Sequence, residues 1–221
     1  MTAESAITDR VAEMHAAMAS QPPNEVMGAF SREQAELAAA GAPAGVAAPG
    51  TQLAEAELLD AHGAPTSLYK AAGDGTAVLV FYRGAWCPYC NVALSAYQQY
   101  LLPALTERGV QLMAISPQAP DGSLSMQEKN DLAFAVLSDP GNGIARGLGI
   151  LTQPSDEARA AQLELGLDLT AVNADGTIGL PMPTVAILDA GHVLRWIDVH
   201  PDYTTRTEPA QVLAALDQLG I

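Results

Sequence analysis

The chain alternates between short continuous apolar runs and stretches whose apolar residues return every three or four positions. Near the start, Val26, Met27, Phe30, Leu37 and Ala38 recur at helical spacing. This predicts a helix over 24–40 that Gly41 can stop, preceded by another over 1–20. The Gly/Ala/Pro stretch at 41–50 reads as a linker, and AEAELLDAHGAP as a short hairpin centred near Gly63. A buried strand at 76–82 then leads into a helix over 88–109, with a kink expected at Pro103. A second buried strand at 110–116 is followed by a short helix, for which Ser125 and Glu128 form a capping box. A third strand covers 133–139, and the turn PGNG and one helical turn run on to Leu148. Strands at 184–189 and 192–199 form a hairpin about Ala190 and Gly191. A helix over 208–220 closes the chain, with Thr207 as its expected cap.

Such alternation predicts a parallel or mixed sheet with helices on both faces. Residues 1–45 read as a helical arm, packed on the main domain or on a partner subunit and carrying no chemistry. Residues 46–221 read as one main domain. Within it, 151–181 is too long for an ordinary connection and reads as a capping insertion or interface element. It holds a helix in SDEARAAQLELG and the apolar residues Leu163, Leu165, Leu167 and Leu169, which either pack, line a groove or form a dimer contact. The arm and this insertion are the candidate contacts of a homodimer.

Charge narrows the partners. Ten Lys plus Arg against 25 Asp plus Glu give a net charge of −15, which repels nucleic acid and anionic membrane surfaces. With hydrophobic residues at 49%, the chain has material for a real core. Its longest strongly apolar run, AVLVFY, is too short to cross a bilayer, and no basic start leads into an apolar stretch, so no signal peptide is expected. Only two cysteines are present, Cys87 and Cys90. In such a chain a close pair fits a reducing cytoplasm.

Those cysteines sit in FYRGAWCPYCN, between a strand and a helix. Pro88 suits the first helical position, where a missing N–H costs nothing, so Cys87 falls at the N-cap and Cys90 in the first turn. Free amides and the helix dipole there favour thiolate over thiol, and Arg83 adds a full charge nearby. A second thiol one turn away can close a disulfide and release whatever the first has bound. Other readings of the pair are weaker. Closing a four-residue loop stabilises by only ~2 kcal/mol, against ~4.7 kcal/mol for a loop of 100. A zinc site wants four ligands, and His62, His192 and His200 do not supply the missing pair. Two inert core thiols are the plain alternative. Redox chemistry is therefore the expectation, without metal or bound cofactor. Asp198 and His200 are read as local hydrogen-bonding groups, and His15 and His62 as surface residues. Trp86 is expected to cover the thiols and Tyr89 to touch substrate.

VLVFYRGAWCPYCN, with MAISPQ, LSDPGNGIARGLGI, PTVAILDAGHVLRWIDVHPDYTTRTEP and the closing helix, resembles the peroxiredoxin-like branch of the alkyl hydroperoxide reductase/thiol-specific antioxidant family, within the thioredoxin superfamily. The resemblance spans about 49–221 and implies a thioredoxin fold, a three-layer α/β/α arrangement on a mixed sheet. Two registers are open. In the thioredoxin register Cys87 attacks and Cys90 resolves. In the peroxiredoxin register the peroxide-attacking cysteine falls on Cys90. The pattern's threonine then becomes Cys87, its proline becomes Arg83, and its activating arginine falls at Pro183. A second arginine, before the final helix, corresponds to Arg206. The tripeptide Met182-Pro183-Thr184 resembles the superfamily's cis-proline loop, which faces the cysteines and frames a substrate groove. The resemblance implies a peroxide or protein disulfide as substrate, and a thiol reductant of thioredoxin or glutathione type. Cys87 is expected to be the more exposed thiolate, supported by Arg83, Pro88 and Arg206. A disulfide reductase without peroxidase activity and a redox-sensing interaction protein are the alternatives.

Overall fold

The computed structural model describes residues 4–19 and 24–221; the ends of the helix expected over 1–20 lie outside the described residues. Helices α1 (Ala6–Ala19) and α2 (Glu25–Ala40) precede the linker, and β1 (Glu57–Leu59) and β2 (Pro65–Ser67) form the expected hairpin. There follow α3 (Leu68–Ala72), β3 (Ala77–Phe81), α4 (Pro88–Ala96), α5 (Leu102–Glu107), β4 (Gln111–Ser116), α6 (Pro120–Lys129), β5 (Ala135–Ser138) and α7 (Gly143–Gly147). The 151–181 segment holds β6 (Leu151–Thr152), α8 (Asp156–Glu164), α9 (Leu169–Val172) and β7 (Leu180–Pro181). The chain ends with β8 (Thr184–Leu188), β9 (Leu194–Val199) and α10 (Pro209–Leu219).

Seven strands form one mixed sheet in the order β2-β1-β5-β4-β3-β8-β9. At its centre β3 runs parallel to β4 and antiparallel to β8. Every residue of β3 is buried, because the two-residue period of a strand feeds two cores at once. Val78 and Val80 enter one cluster with Leu94, Leu105 and Leu216 from α4, α5 and α10, and with Leu101 from the turn between α4 and α5. Leu79 and Phe81 enter the other with Leu68, Ile144 and Leu148. The result is the three-layer arrangement expected.

Three local expectations are corrected. The kink in the long helix is a π-turn, Tyr97–Leu101, placed just ahead of Pro103. Proline lacks the N–H that the α ladder needs and clashes with the preceding turn, so the ladder shifts register there. Ser125 does not cap α6; that helix starts at Pro120, and Ser125 lies in its interior. Thr207 does not cap α10 either. Its hydroxyl donates to Asp198 at 2.8 Å, and Glu208 is the cap, in a reciprocal box with Gln211.

The same Glu208 carboxylate fastens the arm. It accepts hydrogen bonds from the backbone N–H groups of Ile7 (3.0 Å) and Thr8 (2.8 Å) and from the Thr8 hydroxyl (2.7 Å). One anion thus serves the N-termini of two helices, where orphan amides and the dipole both favour negative charge. The second arm helix packs on α8, where Glu33 accepts from the Ser155 N–H at 2.7 Å. The linker runs so close beneath the turn after α7 that a Cβ on Gly149 would lie 2.1 Å from the Gly45 carbonyl oxygen. Gly149, at φ +70°, is the residue that permits this approach.

Replacing Glu208 by alanine is expected to lower unfolding free energy by about 2–4 kcal/mol, since three donors lose a charged acceptor. It should also expose α1 to limited proteolysis before the main domain opens. A denaturation midpoint equal to wild type, with α1 still protected, would show that other contacts hold the arm.

Candidate active site

The site is built where β3 gives way to α4. After Phe81 the chain turns through Arg83 and Gly84, and a Cβ at Gly84 would meet the Trp86 indole nitrogen at 2.3 Å. Glycine is therefore what lets Trp86 fold back over the turn. Asn91 holds the turn closed, donating to the carbonyls of Ala85 and Cys87, both at 2.8 Å. The Ala85 N–H donates to the Gln118 side chain. Cys87 is the N-cap of α4, Pro88 its first residue, and Cys90 lies in the first turn with its N–H on the Cys87 carbonyl at 3.1 Å. Local sequence rules placed all three correctly.

Both cysteines are free thiols, and both are buried, Cys87 1% and Cys90 0% exposed. Arg206, itself buried, points its Nη2 at Cys90 Sγ at 3.1 Å and at Cys87 Sγ at 3.9 Å. Its Nη1 donates to the carbonyls of Tyr203 and Thr205, both at 2.6 Å. No carboxylate forms an ion pair with it among the described residues. The Tyr97 hydroxyl, from the π-turn, fixes the neighbouring backbone by donating to the Thr207 carbonyl at 2.7 Å.

The two sulfurs are not equivalent. Burial pushes the Cys87 thiol well above its ordinary range, reinforced by the hydrogen bond it donates to Cys90 and by the charge there. Burial also opposes charge on Cys90. It is outweighed by the hydrogen bond from Cys87, the Arg206 charge, the Arg83 backbone N–H and the Arg206 hydrogen bond, which together hold Cys90 well below the ordinary thiol range. Cys87, expected as the more exposed thiolate, is as buried as its partner, and the neighbours, with Arg206 nearer Cys90 than Cys87, favour charge on Cys90. Helix position alone favours ionisation of both, and tertiary neighbours decide between them.

Cys87, and not Cys90, lines a pocket of about 320 Å³. Its walls come from three parts of the chain: Met27, Phe30 and Gln34 of the arm; Gln162, Leu165 and Leu167 of the insertion; and Arg83, Trp86, Pro88, Tyr89 and Tyr203 around the sulfurs. The Arg83 guanidinium stacks over the Tyr203 ring at 3.7 Å and lies 5.2 Å from that of Trp86. Tyr89 is buried beside this pocket rather than exposed, and His15 of the arm, though exposed, meets its hydroxyl at 3.0 Å. The arm, expected to carry no chemistry, therefore supplies part of the wall. Its Phe30 and Met27 read as core residues because helical spacing does not distinguish a core from a pocket lining. Tyr203 gave no signal in the sequence.

The groove expected at Met182-Pro183-Thr184 is corrected. The Met182–Pro183 peptide is trans, as is every described peptide bond. Met182 and Pro183 line a separate cleft of about 10 Å³ with Arg83, Tyr203 and Glu33. Thr184 is buried in β8 opposite Phe81, its hydroxyl turned onto the Met182 carbonyl at 2.9 Å. His200 does serve local bonding, between Asp198 (3.0 Å) and Thr205 (2.7 Å). Its hydrogen bond is the main cause holding the Asp198 carboxyl below its usual range. Among the described residues no group of three or more His, Cys, Asp or Glu is placed to hold a metal, and no helix is long and apolar enough to cross a membrane.

The comparisons agree with this architecture. Similar solved structures include peroxidoxin BcpB of Mycobacterium tuberculosis, at 20% identity over 78% of this chain and 96% of that one, TM-score 0.59. A peroxiredoxin-like protein of Aquifex aeolicus matches at 15% identity over 79% and 88%, TM-score 0.61. The bacterioferritin comigratory protein of Xanthomonas campestris matches at 17% identity over 75% and 92%, TM-score 0.56. These neighbours share the thioredoxin fold. A search of curated proteins returns no significant match. The model of the AhpC/TSA family covers residues 49–197, which includes both cysteines but ends before Arg206. With that match over more than half its length, and with a buried thiol pair at the end of the central strand, the chain belongs to the AhpC/TSA family and is a thiol-dependent oxidoreductase of the peroxidase kind.

Proposed function

We propose that the chain reduces hydroperoxides through the Cys87–Cys90 pair, with Cys90 as the attacking thiolate and Cys87 as proton donor and resolving thiol. The observation that carries this reading is the 3.1 Å contact between Arg206 Nη2 and Cys90 Sγ. The thiolate is the nucleophile, and a guanidinium already beside it stands where negative charge passes from sulfur to oxygen as the O–O bond breaks. The family's activating arginine has no counterpart at Pro183; Arg206 reaches the sulfur from the loop before α10. The family's threonine hydroxyl is replaced by the Cys87 thiol, a weaker donor aimed at the same sulfur.

The electron count closes within the pair. Peroxide reaches the sulfurs through the pocket over Cys87, whose side chain turns aside to admit it. Cys90 S⁻ attacks one peroxide oxygen, an S–O bond forms, the O–O bond breaks, and the departing alkoxide takes the Cys87 proton. The Cys87 thiolate so formed attacks the Cys90 sulfenic acid and expels hydroxide, which leaves as water after protonation. A thiol reductant then restores the pair. A thiol pair that a thiol reductant must regenerate fits a reducing cytoplasm.

Thiolate absorbance near 240 nm, followed against pH, tests the assignment. In Cys87→Ser, which keeps a hydroxyl donor to Cys90, the signal should persist at pH 7 and vanish only as pH falls through the lowered value. In Cys90→Ser it should appear only above about pH 8.5, the ordinary thiol range. A thiolate at neutral pH in Cys90→Ser and none in Cys87→Ser reverses the roles.

Stopped-flow consumption of an organic hydroperoxide by the reduced protein is expected to fail in Cys90→Ser. In Cys87→Ser it should stop at one equivalent, with a sulfenic acid that dimedone traps. Arg206→Met should slow the wild-type reaction by about 10²–10³. Negligible peroxide consumption in wild type, with insulin disulfides reduced through Cys87, would favour the disulfide-reductase alternative.

A further inference from the structure

The reductive half of the cycle has its own geometry, and the inference drawn from it rests on the Cys87–Cys90 disulfide proposed above. Cys87 lines the pocket and is 1% exposed. The arm and the insertion stand around it. A volume of about 320 Å³ falls at the small-molecule end of ligand sites, and a sulfur only 1% exposed beside α2 and α8 favours a small thiol over one carried on a folded protein. Two polar groups in the wall have unspent capacity. Gln162 is 3% exposed and its Oε1 is buried without a hydrogen-bond partner, an arrangement that costs free energy until an N–H donor arrives. Arg83 is 6% exposed, stacks on aromatic rings, and forms no ion pair among the described residues. Glu33, which shares the neighbouring cleft with it, makes no ion pair with it either. The remaining wall is mostly apolar.

We propose that the electron donor is a small anionic monothiol of the peptide type, such as glutathione, which enters this pocket, sets a carboxylate on Arg83 and an amide N–H on Gln162 Oε1, and opens the disulfide at Cys87. The donor's thiolate attacks Cys87 Sγ. The S–S bond breaks, and its electron pair goes to Cys90, which leaves as a thiolate against Arg206. A second donor thiolate attacks the donor sulfur of the mixed disulfide, giving the donor disulfide and a Cys87 thiolate that takes up a proton. Two donor thiols are oxidised to one disulfide, and the protein regains one thiol and one thiolate. Attack must fall on Cys87, because it alone of the pair faces the pocket, and exchange is faster when the departing sulfur is the more acidic one.

The test uses the full chain with its disulfide formed chemically by diamide, so that it reads the reductant step even if peroxide does not form the bond. Reduction is followed by Trp fluorescence and by alkylation and mass spectrometry, with glutathione, 2-mercaptoethanol and a thioredoxin at equal thiol concentration. Glutathione should exceed 2-mercaptoethanol by about tenfold or more per thiolate, and thioredoxin by a similar factor. Gln162→Leu and Arg83→Met should each lower the ratio of the glutathione rate to the 2-mercaptoethanol rate about tenfold; taking the ratio cancels any change in folding or in the electrostatics of Cys87, which both thiols meet alike. Thioredoxin as fast as glutathione, or a glutathione preference that neither variant moves, overturns the proposal. A peroxide reaction that fails to form the disulfide, with the diamide-formed bond still opened selectively by glutathione, sinks the peroxidase reading and leaves this one standing.

Discussion

The contact between the Arg206 guanidinium and the Cys90 sulfur is the constraint from which the rest of the site follows. A buried cation without a carboxylate is costly, and it is retained here because a sulfur anion faces it. Each stabilises the charged form of the other: burial opposes the charge on Arg206, while the two cysteine sulfurs raise its proton affinity. The surroundings hold this pair in place. The Tyr97 hydroxyl anchors the backbone after Arg206, two carbonyls occupy its other nitrogen, and α10 is capped two residues later by Glu208. Cys87 completes the shell as a neutral donor. The asymmetry between two thiols one turn apart is thus a property of the loop before α10, and the helix that carries them does not create it.

Much of the fold was readable because strands buried on both faces advertise themselves. Runs such as AVLVF need no alternation when the sheet has helices above and below, and the β3–α4 junction follows from Gly84, Pro88 and their spacing. The N-cap position of Cys87 and the first-turn position of Cys90 came from the same local rules. Legibility ended where a property depends on neighbours distant in sequence. Which sulfur is favoured as the anion depends on the hydrogen bond between the two and on a guanidinium 116 residues from Cys90. Thr207 was a reasonable cap by residue type, but the Asp198 carboxylate claimed its hydroxyl, and Glu208 had both helices within reach. The arm's Phe30 and Met27 carried a helical pattern whose destination, a pocket wall against Trp86 and Leu167, no local signal encodes. Resemblance misled at Pro183, where the chain keeps the proline with a trans peptide.

The arm and the insertion turn a surface motif into an enclosed one. A Cys-x-x-Cys pair at the end of a central strand would ordinarily meet solvent. Here α2 and α8 pack on each other, and Met27, Phe30, Leu165 and Leu167 line the pocket beside Cys87. Desolvation raises the cost of charge on both sulfurs, and this is why the Arg206 contact matters as much as it does. Enclosure also makes access selective by size.

The Glu208 carboxylate ties the first helix of the chain to the last one. Its partners Ile7 and Thr8 leave the ribosome 201 and 200 residues ahead of it. A nascent chain therefore displays both cysteines through the synthesis of the next 116 residues without the guanidinium that favours charge on one of them or the carboxylate that fastens the arm. During that interval it holds an ordinary dithiol. The reactive centre comes into being only once Arg206 and Glu208 have emerged and closed on residues made long before them, so a product cut short of Arg206 would leave the ribosome chemically quiet.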